Sequence, residues 1–109
     1  MATTYKVLGQ SNPSATTATS LYTVPAATQT IVSTITVCNQ SATAATYRIA
    51  VRVAGAALAA NQYVAYDVSL PGNATDTLTL GVTLGATDVI TVYASTANLS
   101  FNAFGSEIV

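Results

Sequence analysis

Apolar and small polar residues alternate along most of this chain with a period of two. Ile31-Val32-Ser33-Thr34-Ile35-Thr36-Val37, Tyr47-Arg48-Ile49-Ala50-Val51-Arg52-Val53 and Thr77-Leu78-Thr79-Leu80 are the clearest stretches. A period of two is what a strand with one buried face requires. Strand-ending residues stand between the stretches. Pro25 lacks the N–H of a ladder bond, Asn39-Gln40-Ser41 breaks the longest run, and Pro71-Gly72-Asn73 is a strong turn signal. These boundaries predict strands over 3–10, 20–24, 28–39, 45–53, 62–70, 75–84, 88–95 and 98–104. Residues 11–19 have loop composition, so 1–19 is an arm or a first strand followed by a loop. Residues 54–60 favour helix by propensity. Seven residues are too few for a helix to hold alone, and a loop with one turn is expected there. Eight strands without a substantial helix predict an all-β fold. The expectation is one antiparallel β-sandwich domain over 1–109, jelly-roll-like in style.

The same alternation predicts which residues face each other. If 47–53 and 62–68 form a hairpin with Arg48 opposite Asp67, then Ala50 lies opposite Ala65 and Arg52 opposite Tyr63, all on the outer face. Tyr47, Ile49, Val51 and Val53 then share the inner face with Val64, Tyr66 and Val68. A slip of one residue would turn every one of them over, so burial sets the register. The same reasoning pairs Val92 with Phe101 in a last hairpin, with Ile90 and Leu99 also inward.

Composition changes the picture in one respect: charge is scarce. Only 6% of residues are charged and the net charge is −1, against about a quarter charged in an ordinary soluble domain. The chain has 20 Ala and 19 Thr. Thr suits a pleated surface, whereas Ala fills a core poorly and suits close approach of two surfaces. A β-rich monomer with so little charge is weakly protected against edge pairing. Burial against copies of itself or in a larger assembly is therefore expected; the alternative is that Thr and Ser hydroxyls suffice for solubility. Three cations, Lys6, Arg48 and Arg52, cannot build a nucleic-acid footprint. No stretch has the length of an apolar membrane span. The opening Met1-Ala2-Thr3-Thr4-Tyr5-Lys6 lacks a signal-peptide pattern, and a lone Cys38 cannot form an internal disulfide. Both point to synthesis in a cytoplasm.

Little chemistry can be assembled from what remains. There is no His to act as general base, and Lys6 is expected to be exposed. Asp67, Asp76, Asp88 and Glu107 fall in different elements, and Asp76 and Asp88 read as turn or solvated loop charges. Zinc, calcium and phosphate-loop patterns are absent, so no catalytic residue and no cofactor or metal is expected. The glycosylation patterns at Asn39, Asn73 and Asn98 read as chance matches in an Asn-, Ser- and Thr-rich chain. Cys38 reads as a small buried hydrophobe. Six of the aromatics are Tyr, a residue that joins apolar area to a hydroxyl. Tyr63, sharing the outer face with Arg48 and Arg52, makes those three the candidate protein interface; a plain solvated sheet face is the competing reading.

Two stretches carry a family resemblance. They are Leu21-Tyr22-Thr23-Val24-Pro25-Ala26, followed by Thr30–Asn39, and the run from Leu84 through Asp88 and Tyr93 to Leu99-Ser100-Phe101 and Phe104–Ile108. In strand-and-turn patterning they resemble small all-β virion proteins of tailed phages, especially those of cyanobacteria. The resemblance implies an accessory component of the particle and transfers no catalytic residue. It implies a non-enzymatic protein located on the virion. The leading expectation is a capsid decoration or cement protein that self-associates, a trimer being one form, and docks on a phage capsid. The alternative is a tail, neck or baseplate component binding a receptor or carbohydrate, for which Tyr22, Asn61 and Asn73 are the available groups. No nucleic acid and no membrane is expected as a partner.

Overall fold

Nine strands and two short 3₁₀ turns form the regular structure of the computed structural model, which describes residues 2–109; Met1, the first residue of the expected domain, lies outside them. The strands are β1 (Thr3–Ser11), β2 (Thr19–Thr23), β3 (Gln29–Asn39), β4 (Ala45–Arg52), β5 (Tyr63–Leu70), β6 (Thr75–Leu78), β7 (Val82–Leu84), β8 (Val89–Ala94) and β9 (Leu99–Ile108). The pairing is antiparallel throughout. β1 pairs β9, β2 pairs β8, β3 pairs both β6 and β7, and β4 pairs β5. The chain is thus one long hairpin whose tip is the 53–62 segment. Folding that hairpin over itself sets β9 beside β3 and β8 beside β4. The result is a first sheet in the order β1-β9-β3 with β6 and β7 beyond β3, facing a second sheet in the order β2-β8-β4-β5. This is jelly-roll connectivity, in agreement with the expected all-β sandwich.

The core lies between the sheets. Val32, Ile35, Val37, Leu99, Phe101 and Ala103 project from the first sheet; Tyr47, Ile49, Ile90, Val92 and Ala94 project from the second. Two inward tyrosines cross the gap with their hydroxyls. Tyr47 of β4 donates to Asp76 Oδ2 of β6 at 2.8 Å. Tyr22 of β2 bonds Thr30 Oγ1 of β3 at 2.8 Å and donates to Glu107 of β9. The two tyrosines pin the sheets together near opposite ends of β3. A buried phenol needs a partner for its hydroxyl, and these carboxylates supply it.

Several expectations are corrected. Residues 75–84 are two strands because Thr79-Leu80-Gly81 lies opposite only Ser33-Thr34 of β3. The additional residue bows out, with Gly81 at a φ of 64°. β8 and β9 are not a hairpin but lie in facing sheets. Ile90, Val92, Leu99 and Phe101 are all inward as expected, meeting across the core. Cys38 is on the outer face and only half-buried. Asp76 is the acceptor for Tyr47 rather than a turn charge. Asp88 does serve a turn, accepting from the backbone N–H groups of Gly85 and Ala54.

The β4–β5 register holds only at one end. Ala45, Thr46 and Tyr47 pair Leu70, Ser69 and Val68 as expected, but Ile49 then meets Ala65, and Ala50 meets Tyr63. Two bulges in β5 cause the change. The first is centred on Asp67, whose φ is 50°; Asp is one of the few side chains that visits this region readily. The bulges turn Ala65 inward and Val64 and Tyr66 outward, so Tyr66 is not a core residue. Val53 is exposed as well, because β4 ends at Arg52.

Candidate docking surface on the second sheet

The outer face of the second sheet is shaped by the hairpin tip. Residues 53–62 form two 3₁₀ turns, Val53–Gly55 and Ala60–Gln62. The first packs on β8 and the second on β4. The bond from Ala54 N–H to Asp88 Oδ1, 2.8 Å, ties the tip to the start of β8. Arg52 braces it from below, donating to Thr91 Oγ1 at 3.0 Å and to the Ala56 carbonyl at 3.2 Å. Under this cover Ala50, Val89 and Thr91 are buried although they point away from the core.

Beyond the tip the face is open, and it gathers Arg48, Tyr63, Tyr66, Asp67 and Tyr93. Arg48 and Tyr93 are paired across β4 and β8. The bulge at Asp67 swings Tyr66 over the other side of the guanidinium. Arg48 Cζ therefore lies 4.2 Å from the Tyr66 ring centre and 4.3 Å from that of Tyr93. Asp67 holds the guanidinium edge-on, with Nε–Oδ1 at 2.6 Å and Nη2–Oδ2 at 3.3 Å. Tyr63 meets Tyr66 edge-to-face at 4.9 Å and 85°. The bond to Asp67 raises the Arg48 pKa further above its ordinary value, so the charge is permanent. A planar guanidinium between two rings with a carboxylate at its edge is a preorganised recognition group. Beside it runs a shallow groove of about 560 Å³ lined by Leu58, Ala59, Ala60, Tyr63 and Tyr66.

Of the expected interface residues, Arg48 and Tyr63 belong to this cluster, while Arg52 is committed to the tip. The Arg48–Asp67 pair is on one face, as the register required. Sequence reasoning missed Tyr66 and Tyr93 as members. The signal for Tyr66 was Asp67 itself, a residue suited to a bulge, which reverses parity until the second bulge restores it at Tyr63. The three groups available for a sugar do not converge. Tyr22 is buried, and Asn61 and Asn73 stand at opposite ends of β5.

The ionisable groups elsewhere are engaged structurally. Lys6 Nζ is 2.8 Å from Glu107 Oε1. Lys6, and then the Tyr22 hydroxyl, hold the Glu107 carboxyl below its ordinary pKa. Burial and then the bond to Glu107 push the Tyr22 phenol up to about 12. Burial, then Asp76, likewise raises Tyr47. Asn39, in one of the glycosylation patterns, is buried with its amide nitrogen donating to the carbonyls of Thr43, Leu70 and Pro71. It cannot accept a glycan in the folded chain. Among the described residues, no group of three or more His, Cys, Asp or Glu is placed to hold a metal ion. No helix among them is long and apolar enough to cross a membrane. No protein-family model, curated protein or solved structure matches the chain.

Proposed function

We propose that this chain is a non-enzymatic virion protein of a tailed phage, a capsid decoration protein that docks on the shell through the open face of its second sheet. The observation that carries the docking surface is the Tyr66–Arg48–Tyr93 stack beside an apolar groove. Tyr and Arg are the residue types that dominate binding energy at interfaces, and here they sit together, oriented before any partner arrives. The particle assignment rests on the resemblance of the Leu21–Asn39 and Leu84–Ile108 stretches to small phage structural proteins. The very low charge fits a chain that spends its working life covered. Docking through many symmetric copies needs only modest affinity per copy, because multivalency raises the total.

The groove walled by Tyr63 and Tyr66 favours a second reading, a tail or baseplate component that stacks a sugar ring on an aromatic face. Co-sedimentation of the purified protein with isolated capsids and, separately, with isolated tails of its phage distinguishes the two. Saturable binding to capsids at a symmetric copy number, lost in Tyr66→Ala, is the expected result. Binding to tails alone moves the protein to the second reading. Binding to neither overturns both.

A further inference from the structure

We infer that the outer face of the first sheet is the contact between two copies of this chain. The middle of the face carries no charged side chain; Lys6, neutralised by its pairing with Glu107, stands at the β1 edge. Among the described residues the other charges are placed elsewhere. Glu107 lies on the inner side of its strand, Asp76 takes the Tyr47 hydroxyl, Asp88 caps a turn, and Arg48, Arg52 and Asp67 belong to the second sheet. Thr36 of β3 lies in register with Asn102 of β9 and Thr77 of β6, and Cys38 with Ser100 and Thr75. These rows make half of the face small and hydroxyl-rich. The other half is apolar. Tyr5, Val7 and Ile31 are 83%, 49% and 41% exposed, and with Phe104, and with Lys6 at the rim, they line a shallow groove of about 600 Å³.

A two-fold contact sets a patch against itself, so any charge in it meets its own kind near the axis. A neutral face avoids that cost. A charged partner surface laid on it would instead lose water from its ions with nothing to pair them. The size is also suitable. Strands about 4.8 Å apart and rising about 3.3 Å per residue give four strands of this length roughly 600 Å² in projection. Accessible area exceeds projection, and a standard interface takes about 800 Å² from each partner. The second sheet is less suited to self-contact, being partly covered by the tip and carrying Arg48, Asp67 and Arg52. The contact stands whether or not the second sheet docks on a particle.

Sedimentation of the full chain over the micromolar range tests the inference, with Ile31→Lys and Tyr5→Lys on this face and Val64→Lys on the other. The wild type and Val64→Lys are expected to be dimers, and the two face variants monomers with unchanged circular dichroism. Tyr5 is far enough into solvent that its variant folds even if Ile31→Lys does not. The single thiol gives a second readout: Cys38 reacts with a maleimide slowly in the dimer and several-fold faster in Tyr5→Lys. A monomeric wild type, an odd-numbered oligomer, a dimer that survives both lysines, or one dissolved by Val64→Lys overturns the inference.

Discussion

Replacing Tyr47 by Phe isolates one of the two bonds that pin the sheets. Tyr47 is 1% exposed, its ring edge-on to Phe101 at 6.1 Å and 76°, and its hydroxyl 2.8 Å from Asp76 Oδ2. Phe keeps the ring and its contacts, so almost no apolar packing is lost. What disappears is one hydrogen bond to a charged acceptor, worth about 1.5–3 kcal/mol. Asp76 is only half-buried and recovers a water in the mutant, which places the loss at the lower end, about 1.5 kcal/mol. Urea unfolding followed by circular dichroism measures it. With a slope of roughly 1–3 kcal/mol per molar urea, the midpoint falls by about 1 M at an unchanged slope. Protein concentration is held constant, since self-association would couple it to stability. Asp76→Ala and the double mutant complete a cycle, with an expected coupling near 1 kcal/mol. A Tyr47→Phe loss below about 0.3 kcal/mol, or additive single mutants, would refute the pin. That end of the sandwich would then be held by apolar packing, with Tyr22 the remaining pin.

Two other changes test backbone geometry and charge. A Cβ at Gly105 would strike the Ile31 carbonyl and come within 3.0 Å of Val32 Cα; these are backbone atoms that cannot rotate away. Gly105→Ala is expected to cost about 1–3 kcal/mol, whereas Gly85→Ala, whose nearest neighbour is Asp88 Oδ2 at 3.8 Å, stays within about 0.5 kcal/mol; equal effects in thermal melts would show that the close approach of β9 to β3 tolerates a side chain. The pH dependence follows from Glu107. Its folded pKa is depressed, first by Lys6 and then by Tyr22. Its contribution to stability is therefore complete above the unfolded value of about 4.3 and is lost as pH falls through the lower folded value. Lys6→Met should flatten the acid limb of a stability-versus-pH curve and leave its shape near neutrality unchanged; an unaltered acid limb would contradict the pairing.

Under the proposed docking and self-contact, the two faces of the molecule would divide the work of recognition in different chemical terms. The second sheet offers a fixed cation between aromatic rings, suited to a specific partner. The first offers area with no charge in its middle, suited to a copy of itself. Under that proposal, a chain with so few ionisable groups keeps Arg48 and Asp67 on the open part of one sheet to serve a partner. It also fits Thr, rather than Lys or Glu, at the outward Thr36 of β3 and Thr75 and Thr77 of β6. Thr retains strand propensity while adding no charge to a surface that is to be covered.

What the sequence determined by itself was the local parity of burial. Alternation placed Tyr47, Ile49, Ile90, Val92, Leu99 and Phe101 inward, and all are buried; in β3 a register shift between Val32 and Thr34 puts Val32 inward and Ile31 outward against strict alternation. Alternation also brought Arg48 and Asp67 to one outer face, as cross-strand neighbours of one parity, and they stay there although a bulge is centred on Asp67. Only the tertiary structure decided which sheet each strand joins. Val92 and Phe101 look identical in sequence whether they are neighbours in a hairpin or, as here, partners across a core, since period two names a face and not a partner. The bulges at Asp67 and Val64 were equally hidden: one additional residue costs nothing in local propensity but reverses the side chains from it to the next bulge. That reversal moved Tyr66 from the expected core onto Arg48. The candidate site therefore exists only because long-range folding laid β5, β4 and β8 side by side with one strand out of step.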